Sequence, residues 1–154
     1  MKVLELYERA AKVPVVGRGV FSLAVGLKSP YFLSIAPTLV ELRPNHAVVR
    51  LRRWWGVQNH IGTVHVIAVA NGLEMAMGAL AEASIPAHLR WIPKGMELDY
   101  VGLADSTLLA TADTDPADWE QPGEVPVRVA ATRADGTVVV RGVIRLHVSS
   151  KPAH

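Results

Sequence analysis

The chain has 154 residues, half of them hydrophobic and 19% charged. That is enough apolar material for one domain with a full core, and it argues against disorder. There is no cysteine, which excludes disulfides, thiolate catalysis and cysteine-ligated zinc. Sixteen basic and 14 acidic residues give a formal charge of +2, too even for a general nucleic-acid binder but compatible with a local basic patch for a phosphorylated ligand.

The first segment, MKVLELYERAAK, is a charged amphipathic stretch and not a basic tip followed by an apolar block. It reads as no signal peptide, and a cytoplasmic protein is expected. Val3, Leu4, Leu6, Tyr7, Ala10 and Ala11 fall close to a 3.6 period, which predicts a helix over residues 2–12, ended by Pro14. A second helix carries Val20, Phe21, Leu23, Ala24 and Leu27 and closes at Ser29-Pro30. Both are expected as packing elements or a lid over the core.

From Tyr31 the period changes to two. Thr38, Val40 and Leu42 alternate with Leu39, Glu41 and Arg43; Arg43-Pro44-Asn45-His46 turns the chain; Ala47, Val49 and Leu51 alternate with Val48, Arg50 and Arg52. This predicts a hairpin with one buried face. Trp54 and Trp55 follow as expected core or interface anchors.

The centre of the chain is NHIGTVHVIAVANGLEMAMGALAEA, residues 59–83. A polar loop opens into a run whose only ionisable side chains from Val64 onward are His65, Glu74 and Glu82. As a helix it would span about 30 Å. A helix apolar all round has no solvent face and is wrapped by the rest of the protein. His65, Asn71, Gly72 and Glu74 interrupt the run, and strand-like segments follow it, so a membrane span is not expected. Glu74 is then a carboxylate in a buried helix, kept there only if it is paired or useful.

The remaining chain reads as strands. Residues 89–101 form a long one with a bulge at Pro93-Lys94-Gly95, and residues 106–111 a short one. Residues 113–123 form an acidic, turn-rich loop taken as solvated. Val125, Val127, Val129 and Ala131 precede an Asp135-Gly136 hairpin turn, and Val138, Val140, Ile144, Leu146 and Val148 form the last strand. The tail from Lys151 to His154 is expected to fray. The expectation is a single α+β domain over residues 1–154: N-terminal helices in 1–30, then a core in 31–149 where an antiparallel sheet of about six strands wraps one long helix. The helix's remaining apolar side must still be covered. The N-terminal helices and a second copy of the chain are the natural candidates, so a symmetric dimer is predicted from burial.

Asn59, Gly62 and His65 stand at the mouth of the helix, and Glu74 lies nine positions beyond His65. With the order of elements over residues 31–148, this spacing resembles the hotdog-fold acyl-CoA thioesterases of the phenylacetate-pathway type, and an uncharacterised bacterial branch with N-terminal helices. That family follows its His with two glycines; this chain has Val66-Ile67. The family's oxyanion donor is the first glycine's backbone N–H, which Val66 retains while its side chain narrows the space beside a thioester. Glu also replaces the commoner Asp. On a helix, nine positions are two and a half turns, so His65 and Glu74 sit on opposite faces about 13 Å apart along the axis. A two-fold partner with an antiparallel helix would bring Glu74 of one subunit to Asn59, His65 and the Val66 amide of the other, and the resemblance implies the same shared site.

The resemblance implies thioester hydrolysis. Glu74 would act as general base or nucleophile, Val66 N–H as oxyanion donor, Asn59 as orienting group and His65 as shaper of the mouth, with Gly62 and Thr63 in the substrate loop. The substrate would be an acyl-CoA or another acyl thioester. No separate cofactor is implied, since coenzyme A enters as part of the substrate, and no metal is expected: His60 and His65 lack the spacing of a zinc site. Other readings stay open. Glu74 bonded to a neighbouring backbone or Arg, His65 as a satisfied histidine near a helix start and Asn59 as a turn residue are the plainer alternatives. The fold also hosts non-catalytic acyl-thioester or lipid binders, for which Val66-Ile67 is the best support, and hydratases or dehydratases. Arg50, Arg52, Arg53, Arg90 and Lys94 are candidates for coenzyme A phosphates or a solvated strand face. Acyl chain length and the pairing of two dimers are not legible.

Overall fold

The computed structural model describes residues 2–152. Two helices, α1 (Lys2–Ala11) and α2 (Gly17–Lys28), lead through a 3-10 turn (Pro30–Ile35) into the hairpin β1 (Thr38–Arg43) and β2 (His46–Leu51). A short 3-10 turn, Trp55–Val57, precedes the long helix α3 (Val66–Ser84). Strands β3 (Leu89–Tyr100), β4 (Leu108–Asp113), β5 (Gly123–Arg133) and β6 (Val138–Ser150) complete one antiparallel sheet of six strands in the order β1-β2-β4-β5-β6-β3. The hairpin therefore joins the later strands through β2 and β4, and β3 ends up on the far edge. This is the α+β hotdog architecture expected from the order of elements.

Helix α3 lies on one face of the sheet, against β1, β2, β4 and β5. Val69, Leu73, Ala76, Met77 and Leu80 are buried there, and each large side chain stabilises the fold by roughly 1.5–3 kcal/mol before chain entropy is charged. The approach is close. A Cβ on Gly72 would lie 2.5 Å from Leu51 Cδ1, so the glycine sets the distance between α3 and β2. By length and composition α3 could cross a membrane, but 56% of its most apolar window is buried inside the protein. The flank away from the sheet is only partly roofed, by α1 and the 3-10 turn that follows α2. Within one chain Ile67 and Glu82 remain exposed, and Glu74 and Gly78 half-buried. The helix therefore does keep an outward flank.

Several local expectations need correction. The helix starts at Val66, not Val64, because Val64 pairs with Gln58 in an isolated bridge and its N–H donates to Ala104 O at 2.8 Å. A bulge between Leu39 and Glu41 breaks the strict alternation expected here, so Leu39 and Leu42, which that alternation sets on opposite faces, are both buried. The short strand runs Leu108–Asp113, two residues later than its β-propensity suggested. The acidic loop is not merely solvated. Its 3-10 turn, Pro116–Trp119, is held by an Asp115–Asp118 capping box and buries Trp119, whose Nε1–H donates to Asn45 Oδ1 at 2.9 Å. Trp54 and Trp55 are exposed and anchor no core within the chain. The bulge at Pro93/Gly95 and the turn at Asp135-Gly136 (Gly136 φ +83°) are where the sequence put them. Lys151 is pinned through its N–H to His88 O at 2.9 Å; the last two positions of the expected frayed tail lie outside the described residues.

Candidate active site

The loop between the Trp55–Val57 turn and α3 is built around Asn59. Its Oδ1 accepts from the N–H groups of Ile61 and Thr63, both at 3.1 Å, and its Nδ2 donates to Thr63 Oγ1 at 2.8 Å. The backbone closes the same ring, with Asn59 N–H donating to Thr63 O at 2.9 Å. Asn folds its short side chain back on the following backbone readily, which makes it a natural residue for this turn. Gly62 sits at φ +78°, a region costly for residues with a Cβ. Its carbonyl accepts from Arg53 Nε at 2.9 Å and Nη2 at 2.7 Å. Arg53, a candidate phosphate ligand by sequence, is thus engaged in clamping the loop.

His65 is the N-cap of α3, in extended geometry (φ −60°, ψ 134°), and its Nδ1 accepts from Ile67 N–H at 3.1 Å. A ring nitrogen that accepts carries no proton, so in this geometry the imidazole is neutral with Nε2–H as the remaining donor. Its own N–H donates to Val57 O at 2.7 Å, fixing the loop to the 3-10 turn. Val66 is the first helical residue. Its N–H has no intrahelical acceptor, as in any first turn, and donates to no atom among the described residues. It lies at the positive end of the helix dipole, where partial negative charge is favoured.

Glu74 lies on the half-open flank of α3. Among the described residues it makes no hydrogen bond and no ion pair. It lines a cavity of about 400 Å³ between α3, β3 and the N-terminal helices. The other walls are chiefly apolar, including Phe21, Val25, Phe32, Met75 and Met77, with Lys28 and Glu82 as further charged residues. Tyr7 closes on Phe21 edge to face, ring centres 5.4 Å apart, and its buried phenol titrates above its ordinary value because burial disfavours the phenolate.

A second cavity, about 220 Å³, opens beside the helix mouth and is lined by His65, Ile67, Asn71, Gln58, Ser34 and Tyr31 among others. The structure thus gathers Asn59, Gly62, Thr63, His65 and Val66 at one mouth. It leaves Glu74 in the other cavity of the same chain, as the helical arithmetic requires. Sequence reasoning did not pick out Asn71, Gln58 and Ser34 as site residues. The only signal was a polar Asn71 in an apolar helix, read as an interruption. Nor did it foresee that α1, α2 and the 3-10 turn wall the Glu74 cavity, since they had been assigned only a covering role.

Residues 17–148 match the family described as Domain of unknown function (DUF4442). The chain belongs to the DUF4442 family. The DUF4442 match opens at the first residue of α2, so α2 and its share of the cavity wall lie inside the matched domain, while α1 precedes it. No curated protein matches the sequence. Among solved structures, the crystal structure called genomics APC5556 is 40% identical over 98% of this chain and 100% of that one, with a TM-score of 0.86. PA5026 from Pseudomonas aeruginosa, described as a protein of unknown function and probable thioesterase, is 21% identical over 84% of this chain and 93% of its own, TM-score 0.76. Thioesterase HI1161 from Haemophilus influenzae shares the fold at 7% identity over 80% of this chain and 85% of its own, TM-score 0.70. At such low identities these last two establish the hotdog fold of this DUF4442 protein and nothing finer.

Proposed function

We propose that the protein hydrolyses acyl thioesters, with acyl-CoA as the leading substrate class. One observation carries the reading. Glu74 is a half-buried carboxylate without a hydrogen-bond or ion-pair partner among the described residues, set in the wall of a largely apolar cavity. Unpaired carboxylates are costly in such surroundings and are retained where they are used. The unengaged Val66 N–H at a helix N-terminus supports the same reading, because it supplies a donor for a developing oxyanion. The thioesterase names carried by PA5026 and HI1161 agree with it.

In the proposed reaction the acyl chain occupies the Phe21–Phe32–Met75–Met77 cavity. Glu74 takes a proton from water as the water oxygen attacks the thioester carbon, and Val66 N–H, aided by the α3 dipole, binds the tetrahedral oxyanion. The C–S bond then breaks, and the thiolate leaves with a proton. Direct attack by Glu74 through an anhydride is the variant of this step. Asn59, Gly62 and Thr63 act by holding the loop, and His65 by capping α3 and presenting Nε2–H. Because Glu74 and the helix mouth lie apart in one chain, the reading includes a two-fold homodimer whose sites are shared.

The second reading is a thioester-binding protein that does not cleave. Ile67, 53% exposed beside the His65 cavity, favours it, because it fills space where the resembling thioesterases have glycine. Thiol release from a panel of acyl-CoAs, followed with a thiol-reactive dye, separates the two. Release at kcat of about 1 s⁻¹ or more on some member supports hydrolysis, whereas saturable binding without release assigns the protein to the second reading.

A further inference from the structure

Two glycines interrupt α3, Gly72 and Gly78, and they are there for different reasons. Inside a helix glycine is less favourable than alanine, because it gives up more backbone freedom on folding. At Gly72 the packing demands it, since a Cβ would lie 2.5 Å from Leu51 Cδ1. At Gly78 the packing does not. Among the described residues a Cβ there would meet one atom within 4 Å, Trp91 Cη2 at 3.6 Å, which is an ordinary van der Waals contact. The glycine therefore keeps open a space that an alanine methyl would fill without a clash, at a cost to the helix.

That space belongs to the Glu74 cavity. Glu74, Gly78 and Glu82 stand four residues apart on one face of α3, and all three line the cavity. Trp91 of β3, half-buried, lines it as well. The indole is located at two points. Its Nε1–H donates to Glu82 Oε1 at 2.9 Å, and its Cη2 stands over the open position at Gly78. That bond uses the ring's single polar atom and ties the edge strand to the helix one turn beyond Gly78. Trp91 is thus a held wall facing a helix position left bare, one turn from the proposed base.

We propose that the gap between Gly78 and Trp91 sets the length of acyl chain that the Glu74 cavity takes. This rests on the thioesterase reading and deepens it, by naming the acyl class. The walls are chiefly apolar, which suits an aliphatic chain. Taking about 30 Å³ per heavy atom, the share of one water in the liquid, the cavity of about 400 Å³ accommodates on the order of ten. The preferred substrate is a medium-chain acyl thioester. Gly78 and Trp91 are specificity-determining residues, which select by size and not by charge. The chain that supplies Glu74 also supplies this acyl pocket, while the oxyanion donor at the helix mouth comes from the other subunit of the shared site.

The test is thiol release from straight-chain acyl-CoAs, butanoyl to hexadecanoyl, which gives each protein a length profile in kcat/KM. The wild type is expected to peak between octanoyl and dodecanoyl. Trp91→Ala moves the peak to longer chains and Gly78→Leu to shorter ones. Gly78→Ala moves it the same way as Gly78→Leu but by less, with a melting temperature at or above wild type, because alanine is the better helix former. One methylene taken in or refused by an apolar pocket changes kcat/KM by about 10-fold or more, so a shift of a single carbon pair is resolved. Trp91→Phe repeats the comparison should the alanine variant not fold. A wild-type optimum outside that range overturns the medium-chain assignment. An unchanged profile in folded variants, or an equal loss at every length, overturns the role of Gly78 and Trp91. So does a Gly78→Ala protein that changes oligomeric state by light scattering while its profile stays fixed, since the glycine then serves a contact between copies of the chain. If the wild type releases no thiol from any ester, the hydrolase reading fails on its own. Calorimetric titration with the corresponding fatty acids then decides the pocket: a binding profile that moves in the variants as above supports it, and no binding, or a fixed profile, overturns it.

Discussion

His65 carries two roles that substitution can separate. Its Nδ1 caps α3 by accepting from Ile67 N–H at 3.1 Å, and the residue lines the small cavity with Nε2–H as its remaining donor. His65→Ala removes both. Loss of an N-cap costs about 1 kcal/mol, and because α3 is the core helix, that cost falls on global unfolding and not on local fraying. In a chain of this size it lowers Tm by about 2–4 °C. His65→Asn restores a strong N-cap with a shorter side chain that cannot place a donor where Nε2–H sits. The expected pattern is a melt close to wild type for His65→Asn but a thioesterase rate depressed in both variants, read by calorimetry beside a thiol-release assay. If His65→Asn recovers rate along with stability, His65 is a cap and nothing more. If His65→Ala melts like the wild type, the capping bond contributes nothing.

Two further outcomes concern the fold. Tyr7 titrates above its ordinary value of about 10, so its contribution to stability is complete below that pH and is lost as pH rises through the raised folded-state value; denaturant unfolding from pH 8 to 11 should show that alkaline loss, and Tyr7→Phe should flatten it. Trp119→Phe removes the indole N–H bonds to Asn45 Oδ1 at 2.9 Å and Thr114 Oγ1 at 3.2 Å. Urea unfolding should record a loss of about 1–3 kcal/mol, and an unchanged midpoint would mean the acidic loop is not anchored there.

Much of the architecture was legible because the signals were periodic. The apolar run of α3, the Asp135-Gly136 turn and the bulge at Pro93/Gly95 each follow from local chemistry and appear where expected. The failures share a physical cause. The β1 bulge between Leu39 and Glu41, and the start of α3 at Val66, depend on pairing with residues distant in sequence, such as Ala104 for Val64, and no window of sequence contains that information. The acidic composition of residues 113–123 points to a solvated loop, yet one aromatic side chain, Trp119, is enough to pull such a loop inward.

At the site, the cluster at residues 59–66 was readable as a set, but its internal division of labour was not. Asn59 spends its oxygen and one amide hydrogen within the loop, and Arg53 is occupied by Gly62 O, so each is tied to the scaffold. The unpartnered Oδ1 of buried Asn71 is not legible, because a lone Asn in an apolar helix looks the same in sequence whether its amide is satisfied or left with a free acceptor.

The account turns on Glu74, and the most direct measurement is steady-state thioester hydrolysis by Glu74→Gln, with the melt recorded on the same sample. The substitution keeps the side chain's shape and removes its basicity, and among the described residues the carboxylate has no partner to lose. A general base contributes about 10²–10⁴ to rate. The prediction is a fall in kcat of that size with Tm within about 2 °C of wild type, given the small effects typical of substitutions that break no contact. Full hydrolysis by a folded Glu74→Gln protein would contradict it.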